Sequence, residues 1–195
     1  MNRLLRAVAV PVVSLGLVAG CQSMKKATNK TENAMGMNKD MAVAHIMPAG
    51  AASTQPSCGH PMGDVTFKQK DGKVHVHAEL TGLSPGAHGI HIHEKGDLKA
   101  PDLSSAGAHY DPDMHKMHGA PNTSAMVHAG DLGNITADAS GKATLDLTVS
   151  DISIGGKNVI LGKSVIIHAK EDDLHTQQSG NSGARIAGGV IEQGK

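Results

Sequence analysis

Aromatic residues are almost missing from this chain: Phe67 and Tyr110 stand alone and there is no tryptophan. That scarcity excludes a nucleic-acid surface of stacking rings among cations, and no other feature restores it. Acidic and basic residues balance at 18 each and form no basic stripe, so nucleic acid is not an expected partner. Cysteine occurs only as Cys21 and Cys58, too few for a disulfide framework. No uninterrupted apolar run is long enough to span a bilayer, because Pro11 and Gly16 break the one N-terminal candidate. With so few rings, a core must be assembled from Val, Ile, Leu, Ala and Met, and the 24 glycines point to many tight turns. The 195 residues suffice for one well-buried domain with some sequence to spare.

At the N-terminus, Arg3 and Arg6 precede the apolar runs Ala7 to Val13 and Leu15 to Ala19, with no acid among them, the pattern of an export signal over residues 1–20. It closes on Leu17-Val18-Ala19-Gly20-Cys21, which resembles the lipobox of bacterial lipoproteins. That resemblance implies a lipid on Cys21 as the membrane partner and a place on the periplasmic face of a bacterial membrane, with Gln22 resembling outer-membrane sorting. An acylated Cys21 leaves Cys58 without a partner in the chain, as a free thiol or an intermolecular link. Residues 21–40 are polar and aperiodic, as a flexible tether would be, and the folded domain is expected over 41–195.

Within that domain, short strands are predicted over 41–48, 62–69, 72–81, 86–94, 131–137, 142–149, 164–169 and 184–191, separated by turn signals such as Lys70-Asp71-Gly72 and Ser84-Pro85-Gly86. Eight short strands without a convincing helix predict an all-β sandwich or barrel. Two long segments, Lys95 to Val127 and Lys170 to Gly183, interrupt the rhythm, and loops of that length usually carry function.

The histidines gather in and beside the first long segment. In Ile90-His91-Ile92-His93 the alternation of a strand puts both imidazoles on one face. His109, His118, His128 and Asp131 follow; three imidazoles and a carboxylate form a set suited to zinc. His168 ends the apolar run Val165-Ile166-Ile167, where a buried ligand fits. A second strand pair, His75 and His77, reads instead as part of a solvent-facing strand.

Taken in order, His88-Gly89-Ile90-His91-Ile92-His93, Ser105-Ala106-Gly107-Ala108-His109-Tyr110-Asp111-Pro112, His118-Gly119-Ala120-Pro121, His128-Ala129-Gly130-Asp131-Leu132-Gly133-Asn134, His168-Ala169-Lys170-Glu171-Asp172-Asp173 and Gly180-Asn181-Ser182-Gly183-Ala184-Arg185 resemble the copper/zinc superoxide dismutases, bacterial secreted branch. The resemblance implies an eight-stranded Greek-key β-barrel, of immunoglobulin-like sandwich architecture, carrying two functional loops. It also implies one copper on His91, His93, His109 and His168 and one zinc on His109, His118, His128 and Asp131. His109 would then bridge the metals and act in catalysis. Asp172 would accept hydrogen bonds from His91 and His118 just outside the metals, Arg185 would attract the superoxide anion, and His88 would face away from copper as a structural hydrogen-bonding group.

In one respect the chain departs from that pattern: the positions of the family's disulfide are Leu98 and Gly188. A rival reading is a periplasmic copper-binding or copper-delivery protein on the same barrel. Its support is the extra histidines and the ten methionines, with Met114 and Met117 flanking His115. Against it, methionine can serve as core filler where rings are missing, or sit in the tether. Having few aromatic anchors, the chain is expected to be a monomer or a weak homodimer.

Overall fold

The computed structural model describes residues 38–50 and 60–195. The expected signal segment 1–20, Cys21, most of the tether and Cys58 lie outside the described residues. The described body begins at Asn38, ahead of the expected position 41: Asn38 N–H donates to Gly194 O at 2.9 Å and Gln193 Nε2 to Asn38 O at 2.7 Å.

Eight strands follow in chain order: β1 Met41–Pro48, β2 Gly63–Lys70, β3 Lys73–Leu80, β4 Gly86–His93, β5 Asp131–Ala137, β6 Ala143–Val149, β7 Ser164–His168 and β8 Arg185–Gln193. They close into one antiparallel barrel in the order β1-β2-β3-β6-β5-β4-β7-β8. Because β3 pairs with β6 and β4 with β7, the chain crosses the barrel ends twice, the Greek-key connectivity anticipated above. The only helical element among the described residues is a 3-10 turn at Ser104–Ala106, which strand periodicity gives no means of seeing.

Strand alternation builds the core directly. Ala42, Ala44 and Ile46 of β1, Val65 and Phe67 of β2, and Val74, Val76, Ala78 and Leu80 of β3 all point inward at 0–1% exposure. Phe67 is the one ring among the largest fully buried side chains; the rest are Ile and Leu. Among the described residues no methionine is fully buried: Met41, Met47 and Met62 are partly buried, Met62 packing against the core, and Met114, Met117 and Met126 are exposed.

Strands β4 and β7 are buried on both faces, β7 throughout and β4 from His88 onward. Ile90 and Ile92 enter the core, while His91 and His93 face outward beneath the two long connections. Those connections are laced to β4 by backbone hydrogen bonds: Ile92 N–H to Gly130 O, Tyr110 N–H to Ile92 O and Gly89 N–H to Lys170 O, each 2.8 Å. The ladder also sets Asp131, at the start of β5, opposite His91.

Candidate metal centre

Two sets of potential ligand atoms converge on that covered face. His91, His93, His109 and His168 form one set; His109, His118, His128 and Asp131 form the other, and within each set the ligand atoms lie within 4.8 Å of one another. His109 belongs to both. Its ring centroid lies 3.9 Å from that of His91, 5.0 Å from that of His93, and 5.4 Å and 5.9 Å from those of His118 and His128.

The donor chemistry fits metal ions at both places. Six buried ring nitrogens have no hydrogen-bond partner: Nδ1 of His91, Nε2 of His93, Nε2 of His109, Nδ1 of His118, Nδ1 of His128 and Nε2 of His168. Buried polar atoms are rarely left so, and six in one place call for a cation. On four of the six rings the opposite nitrogen is hydrogen-bonded outside the two sets, which fixes both tautomer and orientation. Nδ1 of His93 donates to Gly107 O at 2.9 Å and Nδ1 of His168 to Gly183 O at 3.1 Å. His91 Nε2 and His118 Nε2 donate to the two carboxylate oxygens of Asp172 at 2.7 and 2.8 Å, while Nδ1 of His109 lies 2.7 Å from Oδ1 of Asp131, its fellow member of the second set.

The second set has the composition and spacing for zinc. Around Asp131 stand Nδ1 of His109, His118 and His128 at 2.7, 3.1 and 3.3 Å. These separations approach the edges of a tetrahedron whose centre lies about 2.0–2.2 Å from each donor. The first set is all imidazole and carries no carboxylate, a donor set suited to copper.

The electrostatics also favour cations. Burial, the largest influence on each ring, lowers the pKa of His91 from 6.5 to about 3, of His93 to about 2 and of His168 to about 4, so all three are neutral and ready to ligate. Burial also presses on His118, but Asp131 and Asp172 outweigh it and raise that ring to about 9. Burial raises Asp131 and Asp172 as well, yet hydrogen bonds from the surrounding rings hold both below the usual carboxylate range. Two carboxylate side chains of zero exposure, Asp131 and Asp172, thus demand positive charge between them, which a metal dication meets better than one protonated ring.

Arg185 opens β8 in register with His168, half-buried. Nη1 donates to Leu103 O at 2.7 Å and Nη2 to Gly107 O at 2.6 Å, and its charge helps keep His93 and His168 neutral. Its own pKa is lowered by burial, against the pull of Asp102.

Residues 61–191 match the family model described as copper/zinc superoxide dismutase. The chain belongs to that family. It is 44% identical over 161 residues to the extracellular superoxide dismutase [Cu-Zn] of Drosophila melanogaster, covering 77% of this chain and 83% of that protein. It is 42% identical over 141 residues to superoxide dismutase [Cu-Zn] 5 of Dictyostelium discoideum, covering 68% and 91%. The crystal structure of the clock protein EA4 superimposes with a TM-score of 0.65 at 39% identity, over 78% of this chain and 94% of that one. As a copper/zinc superoxide dismutase the chain is an oxidoreductase acting on superoxide, with copper and zinc as its metals.

Several supports of this dismutase site were not foreseen from sequence. Asn134 pairs with the backbone of Asp172 on both sides, Nδ2 to Asp172 O and Asp172 N–H to Oδ1, each 2.8 Å. Gln177 clamps the backbone of His118 through both ends of its amide, at 2.9 and 3.0 Å. An Asn or Gln carries no metal-ligand signal, and its partners here are backbone atoms far away in sequence. His88 takes the structural place expected for it: Nδ1 donates to His168 O at 2.8 Å. His75 and His77 face solvent and share Oδ1 of Asp146 at 3.3 and 2.9 Å.

Proposed function

We propose that this chain dismutes superoxide with one copper held by His91, His93, His109 and His168 and one zinc held by His109, His118, His128 and Asp131. The observation that carries this reading is the set of six partnerless buried ring nitrogens, divided between two sites that share His109. The overall reaction takes two superoxide anions and two protons to dioxygen and hydrogen peroxide. Copper when bound supplies the one-electron couple that the reaction needs, and zinc a redox-silent charge that tunes the shared ring. His109 holds a proton at Nε2 when that atom is not a ligand, and delivers it to the departing peroxide. Asp172 keeps the rings of His91 and His118 in the tautomers that free their Nδ1 atoms. Arg185, fixed by two carbonyls, presents a permanent charge to the incoming anion.

The test is metal content and superoxide dismutation of the purified chain beside His168→Ala. One copper and one zinc per chain with fast dismutation, and loss of both copper and activity in the variant, supports the reading. Stoichiometric copper without turnover would favour the copper-carrier alternative, which the dismutase names of the relatives do not support.

The same reading places the protein outside the cytoplasm. Relatives from Drosophila melanogaster and Caenorhabditis elegans are named extracellular, in keeping with export. The bacterial part rests on the Leu17–Cys21 pattern alone: a lipid on Cys21 and attachment at the periplasmic face of the outer membrane. Incorporation of labelled palmitate that disappears in Cys21→Ser would support it, and no incorporation would remove it.

A further inference from the structure

Every large apolar side chain left exposed among the described residues is a methionine, and all three lie on the connection between β4 and β5. Met114 is 84% exposed, Met117 57% and Met126 54%. Core filling cannot account for them, since none packs inward. Met114 even holds a left-handed backbone, φ 58°, without any burial of its side chain in return. Single exposed apolar side chains are ordinary, but here all three of the large ones are the same residue type and share one loop. What distinguishes methionine from Leu is the sulfur.

The loop pairs with itself where these residues sit. Met117 N–H donates to Met126 O at 2.8 Å, and His128 N–H donates to Met117 O at 3.1 Å. These bonds pair Met117 with Val127, so the Met126 side chain leaves the partner stretch one residue before that pair. Met114 and the exposed His115 stand just ahead of Met117. With three rotatable bonds each, the methionine arms can close on a common ion. Thioethers are soft, neutral ligands that select Cu(I) over Zn(II), and they have no proton to lose on binding.

We propose that Met114, Met117 and Met126, assisted by His115, form an external Cu(I) site that shares no side chain with either buried set. The loop that carries it also carries His118 and His128, so copper bound there rests on the rim of the metal centre. This site goes beyond the dismutase reading and does not depend on it. The other outward-facing cluster, His75 and His77 on Asp146, has imidazole and carboxylate donors and suits harder divalent ions.

The experiment uses the full chain with both buried sets filled by copper and zinc, and with Cys21→Ser and Cys58→Ser removing the competing thiols. It is titrated in chloride-free buffer with Ag(I), which shares the soft, filled-shell chemistry of Cu(I) without its redox reactions. The expected result is one further equivalent bound at pH 7 and still bound at pH 5, with metal–sulfur scattering in X-ray absorption. Met114→Leu/Met117→Leu/Met126→Leu should weaken that binding by about tenfold or more, with dismutation and resident metals unchanged. Leu preserves size and apolarity, so the loss would belong to sulfur. The proposal is overturned if no further equivalent binds, if binding survives the triple substitution and therefore belongs to Met24, Met35 or Met37, or if His75→Ala/His77→Ala abolishes it instead.

Discussion

Arg185 and His93 meet on one oxygen: the carbonyl of Gly107 accepts Nη2 of the guanidinium at 2.6 Å and Nδ1 of the imidazole at 2.9 Å. A candidate copper ligand and the cation that would draw in the substrate are thus held by the same peptide. The second carbonyl on the guanidinium, Leu103 O, lies four residues earlier in the same loop. Position as well as charge is therefore built into Arg185, and the two can be separated.

Arg185→Ala should leave copper and zinc content unchanged, lower the dismutation rate by about tenfold or more and flatten its dependence on ionic strength. Arg185→Lys keeps the charge but cannot span both carbonyls, so its rate should fall between the two while the salt dependence persists. Rates across a salt series decide the matter; equal rates in all three proteins would remove Arg185 from the mechanism.

Asp172 orients one ring of each set, so its loss should be felt at both. Asp172→Ala is expected to weaken copper and zinc each by about 10- to 100-fold in competition titrations. A variant that weakened only one metal would show that the carboxylate serves one site alone.

Gly180 makes that arrangement possible. Its φ is +62°, and an added Cβ would lie 1.7 Å from Oδ1 of Asp172 and 2.5 Å from Nε2 of His118. Gly180→Ala should destabilise the fold by on the order of 3 kcal/mol and lower zinc content. Calorimetry with metal analysis tests it, and a native-like melting curve at full zinc content would refute the packing argument.

Much of this was legible in the sequence, and for a physical reason. Strand alternation writes the core in period two, as in Ala42, Ala44 and Ile46, and all eight strands lie within two residues of their expected ends. The residues that converge in the two clusters could be picked out from thirteen histidines because their order along the chain is that of the resemblance. What supports them was not. Asn134, Gln177, Leu103 and Gly107 act largely through hydrogen bonds to or from the backbone, which depend on loop geometry and leave no mark on residue type. Among the described residues methionine fills little of the core: only Met62 packs against it, from a partly buried position, while Ile, Leu, Val and Ala surround Phe67.

The metal-free chain should lose stability as the pH falls through the range 6.5 to 3. His91, His93 and His168 have folded-state pKa values of about 3, 2 and 4 against 6.5 in the unfolded chain, so in that range the unfolded chain binds protons that the folded one refuses. Each ring then contributes a slope of up to about 1.4 kcal/mol per pH unit. Asp131 and Asp172, depressed by their ring partners, act in the same sense at the acid end: their stabilisation is present above the ordinary carboxylate pKa and is lost as they protonate. His118 acts oppositely and elsewhere, since its stabilisation is complete below 6.5 and is lost as pH rises through about 9. Denaturant midpoints should therefore fall on both sides of neutrality. A flat profile from pH 7 to pH 4 would contradict the buried, neutral state of the three rings.

Where the family pattern has a disulfide, this chain has none, yet the loop around Arg185 is held. Leu98, Leu103, Ala106 and Ile166 form a separate small apolar cluster. A Cβ on Gly188 would stand 2.8 Å from Cδ1 of Ile166 and 3.4 Å from Cδ1 of Leu103, so side chains occupy the space beside it. Because residues 60–195 contain no cysteine, thiol reductant should leave the melting temperature of the metal-free chain unchanged. Leu103 is fully buried, and its own carbonyl receives Arg185. Leu103→Ala should cost about 2–4 kcal/mol and also lower the dismutation rate of the metal-loaded protein, by letting the guanidinium's acceptor drift. Leu103→Met, nearly equal in volume, should restore both. If Leu103→Ala lost stability but kept the full rate and its salt dependence, the cluster would hold the barrel together without positioning Arg185.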